Sequence, residues 1–356
     1  MSKSKFLFAI IGLSALLLAC GSDTKISKPV NNSIGYIGEL NITTDFQTYD
    51  YLRDALINSV ASPQPYLSPS EAFYKLNFIA INSYNGSYPE YQLQLLIVTE
   101  ENKKELQHLE MMFEDNEFDS LIALPQVSFI QKRDVWVKNQ SIFFLIGPSA
   151  ETIRLYLNQE KETIKTALYN AELKDYAKRA CNKKHPLSKI LESKYGIGLA
   201  LPDFFELDIQ EDGFYSANWE EGDANCNLLI SILPPSTDTA LYLKETTLAQ
   251  RDKDGKKYLP MDSVGIFYLG TSKVFNHFYE PYNLNGYKGS KINGYWVIEG
   301  LFRGGPFTRY TVYHPPSGRW IAIEGLVYYP NLEEKQLGKT KTRYMRTLES
   351  IIHTLR

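Results

Sequence analysis

One stretch near the start of the chain stands apart from everything a globular fold would use. Residues 6–18 (FLFAIIGLSALLL) form an uncharged, almost wholly apolar run behind Lys3 and Lys5. Thirteen residues fall short of the ~20 that a membrane-spanning helix requires. A short apolar core behind a basic start reads as an export signal. No later apolar stretch approaches membrane-spanning length, so the rest of the 356-residue chain must bury itself by folding short elements together. That length suffices for a sizeable core and two domains.

The end of the run is more specific. Leu17-Leu18-Ala19-Cys20 resembles the lipobox of bacterial lipoproteins. The resemblance implies cleavage after Ala19 and a diacylglycerol thioether on Cys20, with an amide-linked acyl chain added afterwards. Two or more chains are what stable anchoring requires. Residues 1–19 are then a signal peptide. Residues 20–38, rich in Ser, Asn, Gly and Lys, are expected to be a flexible tether. The expected location is the cell envelope, lipid-anchored at the outer membrane, with the membrane itself as a partner through Cys20. Net charge is −3 before the signal lysines are removed, and nothing in that balance favours nucleic acid. Once Cys20 is committed to lipid, Cys181 and Cys226 remain. Export permits them to pair, while two separate thiols are the other reading.

Periodicity predicts an α+β fold of antiparallel or mixed sheets with covering helices, divided at residues 39–181 and 182–356. In the first part, helical spacing falls at 50–60 and 101–113, and strands at 72–81, 91–98, 127–130, 135–137 and 141–146. A long helical region, one helix or two, covers 147–180, and a shorter one follows after Pro186. In the second part, strands are expected at 204–209, 214–219, 227–233, 295–302, 309–313 and 320–329. An amphipathic helix at 339–355 closes the chain, its polar side toward water. Two segments echo each other as strand, Pro-containing turn and helix, each with a Leu-Tyr-Leu, at 155–157 and 241–243. Duplication of related halves and common strand–turn–helix grammar both account for that echo.

The C-terminal motifs are Gly304-Gly305-Pro306-Phe307, Glu324-Gly325-Leu326-Val327-Tyr328-Tyr329-Pro330 and Arg343-Tyr344-Met345-Arg346-Thr347-Leu348-Glu349-Ser350-Ile351. In order and spacing they resemble a family of uncharacterised Bacteroidota lipoproteins built on a domain of unknown function. Leu326 stands where that family usually has Phe, and Arg303 where Met often precedes the paired glycines. The resemblance implies a cellular setting but no reaction or ligand.

No nucleophile elbow, HExxH, P-loop or dinucleotide glycine motif is present, so no catalytic residue, metal or cofactor is assigned. The Gly-Gly-Pro turn either serves a tight backbone path or holds Arg303, Phe307 and Arg309 at a site mouth, where the arginines would grip an anion. Glu299 and Glu324 each end an apolar stretch before a glycine. They are candidates for ion pairs with those arginines, or for general acid and base. Tyr295, Trp296, Tyr310, Trp320, Tyr328 and Tyr329 offer either core packing or a sugar groove, although strand alternation forbids all six from sharing one face. His314, beside two prolines, is expected in an exposed turn, and His353 on the surface of the last helix. Three functions follow: a non-enzymatic protein binding an envelope partner or aiding assembly, a glycan or small-anion binder, and a carboxylate-dependent hydrolase.

Overall fold

The computed structural model describes residues 29, 31–83, 90–114, 116–181, 185–262, 267–298, 301, 303–330 and 338–356. The signal segment, Cys20 and Glu299 lie outside the described residues. The fold takes hold before the expected end of the tether. Ser33 N–H donates to Lys138 O at 2.9 Å, Arg179 donates to the carbonyls of Ser33 and Gly35, and Ile37 is buried.

The first sheet contains β1 (Glu39–Thr44), β2 (Lys75–Ala80), β3 (Leu93–Val98), β4 (Ser128–Arg133) and β5 (Ser141–Ile146). Their order is β2-β1-β3-β5-β4, parallel throughout except for β4 against β5. Parallel strands are covered on both faces and so read as unbroken apolar runs, as LQLLIV and SIFFLI do, every residue buried. The helices are α1 (Phe46–Val60), α2 (Glu117–Ile122), α3 (Ala150–Gln159) and α4 (Lys161–Ala180). One face packs under α1, α3 and α4 through Leu52, Leu56, Ile153, Leu157, Ile164 and Leu168. The other lies under α2 and a turn at Gln107–Met112.

Two expected elements differ. The helix at 101–113 is a series of turns. The Asn102 side chain accepts from Thr99 N–H and donates to Thr44 Oγ1 and Ile97 O, so local bonds displace helical ones. Leu106, Leu109 and Phe113 still reach the core. The strand at 135–137 is instead a bend: Asp134 takes φ +50° and Gln140 Oε1 accepts from Trp136 N–H.

After α5 (Pro186–Tyr195) the chain builds a second sheet. Its strands are β6 (Glu206–Glu211), β7 (Phe214–Glu221), β8 (Ala224–Pro235), β9 (Leu269–Thr271), β10 (Phe278–Leu284), β11 (Tyr287–Ile298), β12 (Gly304–His314) and β13 (Arg319–Tyr328). All pairs are antiparallel, in the order β10-β11-β12-β13-β8-β7-β6, with β9 on the end of β11. Helix α6 (Lys244–Tyr258) covers one face; α5 and α7 (Lys341–Ile352) cover the other. The class is α+β. The Leu-Tyr-Leu echo has no structural counterpart. The first copy lies inside α3 and the second straddles a 3₁₀ turn at Thr239–Tyr242, and the sheets around them differ in topology.

Helix α7 departs most from the reading of its sequence. Apart from Arg343, every residue from Lys341 to Ile352 is buried. Tyr344, Leu348, Ile351 and Ile352 meet the second sheet as expected. The polar side does not face water but packs against the first part of the chain: Arg346 bonds Glu172 of α4, and Thr342 accepts from Gln64 Nε2.

Candidate functional site

The residues proposed from sequence separate into different places. Phe307, Arg309 and Glu324 do meet, but in the core beneath α6. Glu324 is 0% exposed. It accepts from Arg251 Nε at 2.9 Å and Arg309 Nη1 at 3.1 Å, and the Arg251 guanidinium lies 4.2 Å from the Phe307 ring centre. Arg309 also reaches Asp254, which accepts from Ser231 and Gln250. With both oxygens held by guanidinium groups and no exposure, Glu324 is a structural anion, not a general acid or base. Arg303 stands outside this cluster, exposed, its guanidinium 4.1 Å over Tyr328. The paired glycines serve close packing. A Cβ on Gly305 would lie 2.0 Å from Val327 O, and one on Gly304 2.4 Å from Trp296 O.

Cys181 and Cys226 are separate thiols. Cys226 faces the core from β8, and Cys181 contacts Ala200 O at 3.4 Å, with burial pushing its thiol up to about 12. Of the six aromatics, Trp296, Tyr310, Trp320 and Tyr329 are buried, and Trp296 Nε1 donates to Val327 O. His314 is not in an exposed turn but buried at the end of β12, its ring against Tyr287.

Cavities of about 690 and 570 Å³ lie beside Tyr242 and Trp320 and along β1 and β2, and two more lie where the two parts of the chain meet along α4, α7 and the β10–β11 hairpin. A cavity of about 790 Å³ runs between α4, α5 and the end of α7. A second, of about 440 Å³, lies between α4, the 62–73 segment and β10–β11. Asn170 and Tyr282 belong to the walls of both, so they form two lobes of one crevice. Volumes of this order are those of small-molecule sites.

At the junction of the lobes is a cluster absent from the sequence reading. Lys291 of β11 contacts Glu349 of α7 at 2.8 Å, and Nζ lies 5.3 to 5.9 Å from the ring centres of Tyr310, Tyr169 and Tyr282. Tyr310 donates to Glu349 Oε1 at 3.3 Å. His353 Nε2 is 3.4 Å from the hydroxyls of both Tyr282 and Tyr310. Burial opposes the charge on Glu349, but Lys291 and Arg346 prevail and hold its carboxyl below the usual range. Burial, assisted by Lys291 and opposed by Glu349, pushes His353 down to about 4. The expectation of a surface His353 is thereby corrected: its ring packs against Tyr169, Tyr282 and Tyr310. Burial raises all three tyrosines, so their hydroxyls remain protonated.

Behind the cluster, Arg346 Nη1 contacts Glu172 Oε2 at 2.5 Å and Nη2 donates to Phe73 O, while Gly38 N–H donates to Glu172 Oε1. Both side chains are almost wholly buried. Breaking such a pair from one side strands a buried charge and costs about 3–5 kcal/mol. This pair fixes α7 to α4 and so fixes the width of the crevice.

Chemically the site offers ring faces, phenolic donors, a neutral imidazole and a compensated lysine–glutamate pair. The Glu349 carboxyl is held below its usual range and the His353 ring down to about 4, so neither is poised near neutrality, where general catalysis would want it. Among the described residues no group of three His, Cys, Asp or Glu side chains is placed to hold a metal ion, and no helix is long and apolar enough to cross a membrane. A sequence signal for the cluster did exist. In YKGSKINGYW, Lys291 sits two places from Asn293 on one strand face, and Arg346 and Glu349 stand three apart on α7. Without knowing that a second layer covers that face, both read as solvated charges.

Residues 33–180 match the family model described as Domain of unknown function (DUF8532), and residues 184–354 that of Domain of unknown function (DUF4837). No curated protein sequence matches the chain. Three solved structures show partial likeness. The Ran-binding protein Mog1p of Saccharomyces cerevisiae has 13% identity and a TM-score of 0.30, over 46% of this chain and 92% of that one. LpqN of Mycobacterium tuberculosis, described as involved in cell envelope biogenesis, has 15% identity and a TM-score of 0.26, over 45% and 82%. Human StAR-related lipid transfer protein 5 has 9% identity and a TM-score of 0.23, over 53% and 96%. Likenesses this distant assign no function.

Proposed function

We propose that the chain is a cell-envelope lipoprotein, tethered through Cys20, whose body binds a small molecule rather than transforming one. The observation that carries the binding reading is the two-lobed crevice between the parts of the chain, with Lys291, Glu349 and Tyr282 at its junction. A site at the meeting of two folded units is a recurrent place for ligands. The hydrolase reading is not retained, because Glu324 is sealed in an ion-pair cluster. A proteinaceous envelope partner would dock on the outer surface, and the crevice favours the small-molecule reading over it.

Two measurements test the proposal. Replacing Cys20 with Ser should abolish palmitate labelling and membrane retention; persistence of both defeats the anchor. For binding, a thermal-shift screen of glycans and small organic anions should raise the melting temperature of the wild-type protein by mass action. It should leave Asn170→Trp unmoved, since an indole at this exposed position would fill the wall shared by both lobes. Compounds that stabilise both proteins equally would place the binding elsewhere.

A further inference from the structure

The two lobes differ in chemistry. In the larger one the ammonium groups of Lys174 and Lys178 face a single carboxylate side chain among the described lining residues, Glu192. Lys174 and Lys178 are one helical turn apart on α4, so their head groups reach the same rim. The smaller lobe is walled by the rings of Tyr66, Phe73, Tyr169, Phe278 and Tyr282, and its cations Lys165 and Lys291 are matched by Glu280 and Glu349.

We infer that the crevice takes an amphipathic anion. Its planar or apolar end lies among the aromatic rings and its acidic head lies in the lobe under Lys174 and Lys178. The inference rests on the reading of the crevice as a ligand site. An anionic head placed in the smaller lobe would meet Glu349 and Glu280 and lose its water among rings, at a cost no unmatched cation offsets. In the larger lobe the excess of cations favours it. An apolar end has the reverse preference, because ring faces give it contact area. The walls also carry polar atoms without a hydrogen-bond partner: Ser188 Oγ in the larger lobe and Asn293 Oδ1 in the smaller. Buried groups of this kind are ordinarily satisfied, and a bound ligand supplies what they lack. Carboxylate, sulfonate and phosphate heads share the chemistry required.

The test is isothermal titration of the detergent-solubilised full chain with 2-naphthalenesulfonate and with uncharged 2-naphthol. The sulfonate should bind one per chain and more tightly than the naphthol. The double variant Lys174→Gln/Lys178→Gln should weaken sulfonate binding about fivefold, as loss of two exposed ionic contacts implies, and leave naphthol binding unchanged. Asn170→Trp should abolish both. Equal affinity for the two probes, with no response to the lysine pair but loss in Asn170→Trp, overturns the anion inference and leaves the crevice reading standing. Binding that survives Asn170→Trp overturns the crevice reading as well. No detectable sulfonate binding also overturns the inference, and the thermal-shift screen then judges the crevice separately.

Discussion

At the scale of single residues, the crevice is built from groups whose charge state is set by their surroundings. His353 is the clearest case. Its imidazole is pushed to about 4 by burial, from an ordinary value of about 6.5. Between those limits the unfolded chain takes up a proton that the folded protein refuses. Stability is therefore fully present above about pH 6.5, falls as the pH drops, and stops falling from this source near 4. The loss amounts to at most about 3 kcal/mol. The groups facing the ring are Glu349 on its own helix, Lys291 and Tyr282 from the β10–β11 hairpin, Tyr310 from β12 and Tyr169 from α4. Urea unfolding at pH 7 and pH 4.5 should show a smaller drop for His353→Gln than for the wild type. Equal drops would mean that the ring is not held neutral. No sequence rule announces such a residue. A histidine two places before the last hydrophobe of an amphipathic helix reads as surface until its neighbours are known.

At the scale of elements, α7 governs the architecture. Its apolar positions were legible, since Tyr344, Leu348 and Ile351 recur at helical spacing and do meet the second sheet. Its polar positions misled, because Arg346 is buried against Glu172 of the first part of the chain and Glu349 against Lys291 and Tyr310 of the second sheet. The start of the helix depends on that part too: Glu71 accepts from the N–H of Lys341 at 3.0 Å and of Thr342 at 2.7 Å. A carboxylate there satisfies otherwise open donors and complements the helix dipole. Glu71→Ala should lower global stability by about 1–2 kcal/mol, read as a shift in the urea midpoint. An unchanged midpoint would show that this end of α7 is held by other contacts. The strands β3, β5, β8, β12 and β13 were readable because their apolar runs are long or strictly alternating. Strand β1 was not, because its buried positions include Asn41, Thr43 and Thr44. The segment at 101–113 shows the opposite failure, a helical spacing overruled by one asparagine side chain.

At the scale of the whole molecule, composition and periodicity pointed to mixed and antiparallel sheets under helices, and both sheets are present. The candidate site was far less visible. Of the residues singled out around Gly304–Phe307, Phe307, Arg309 and Glu324 join a core ion-pair cluster, and Arg303 stands outside it. The crevice arises only when α4, α7 and β10–β11, elements far apart along the chain, come together. Its lining is ordinary Tyr, Lys and Asn, chosen by three-dimensional neighbours and not by local spacing. The central claim is that ligand enters this crevice, and hydrogen–deuterium exchange in the presence of 2-naphthalenesulfonate tests it most directly. Protection should concentrate on α4 around residues 170–178, on the turn at 282–287 and on the end of α7. Protection confined to α6 and to Gly304–Phe307 at the start of β12, or spread over neither region, would contradict it.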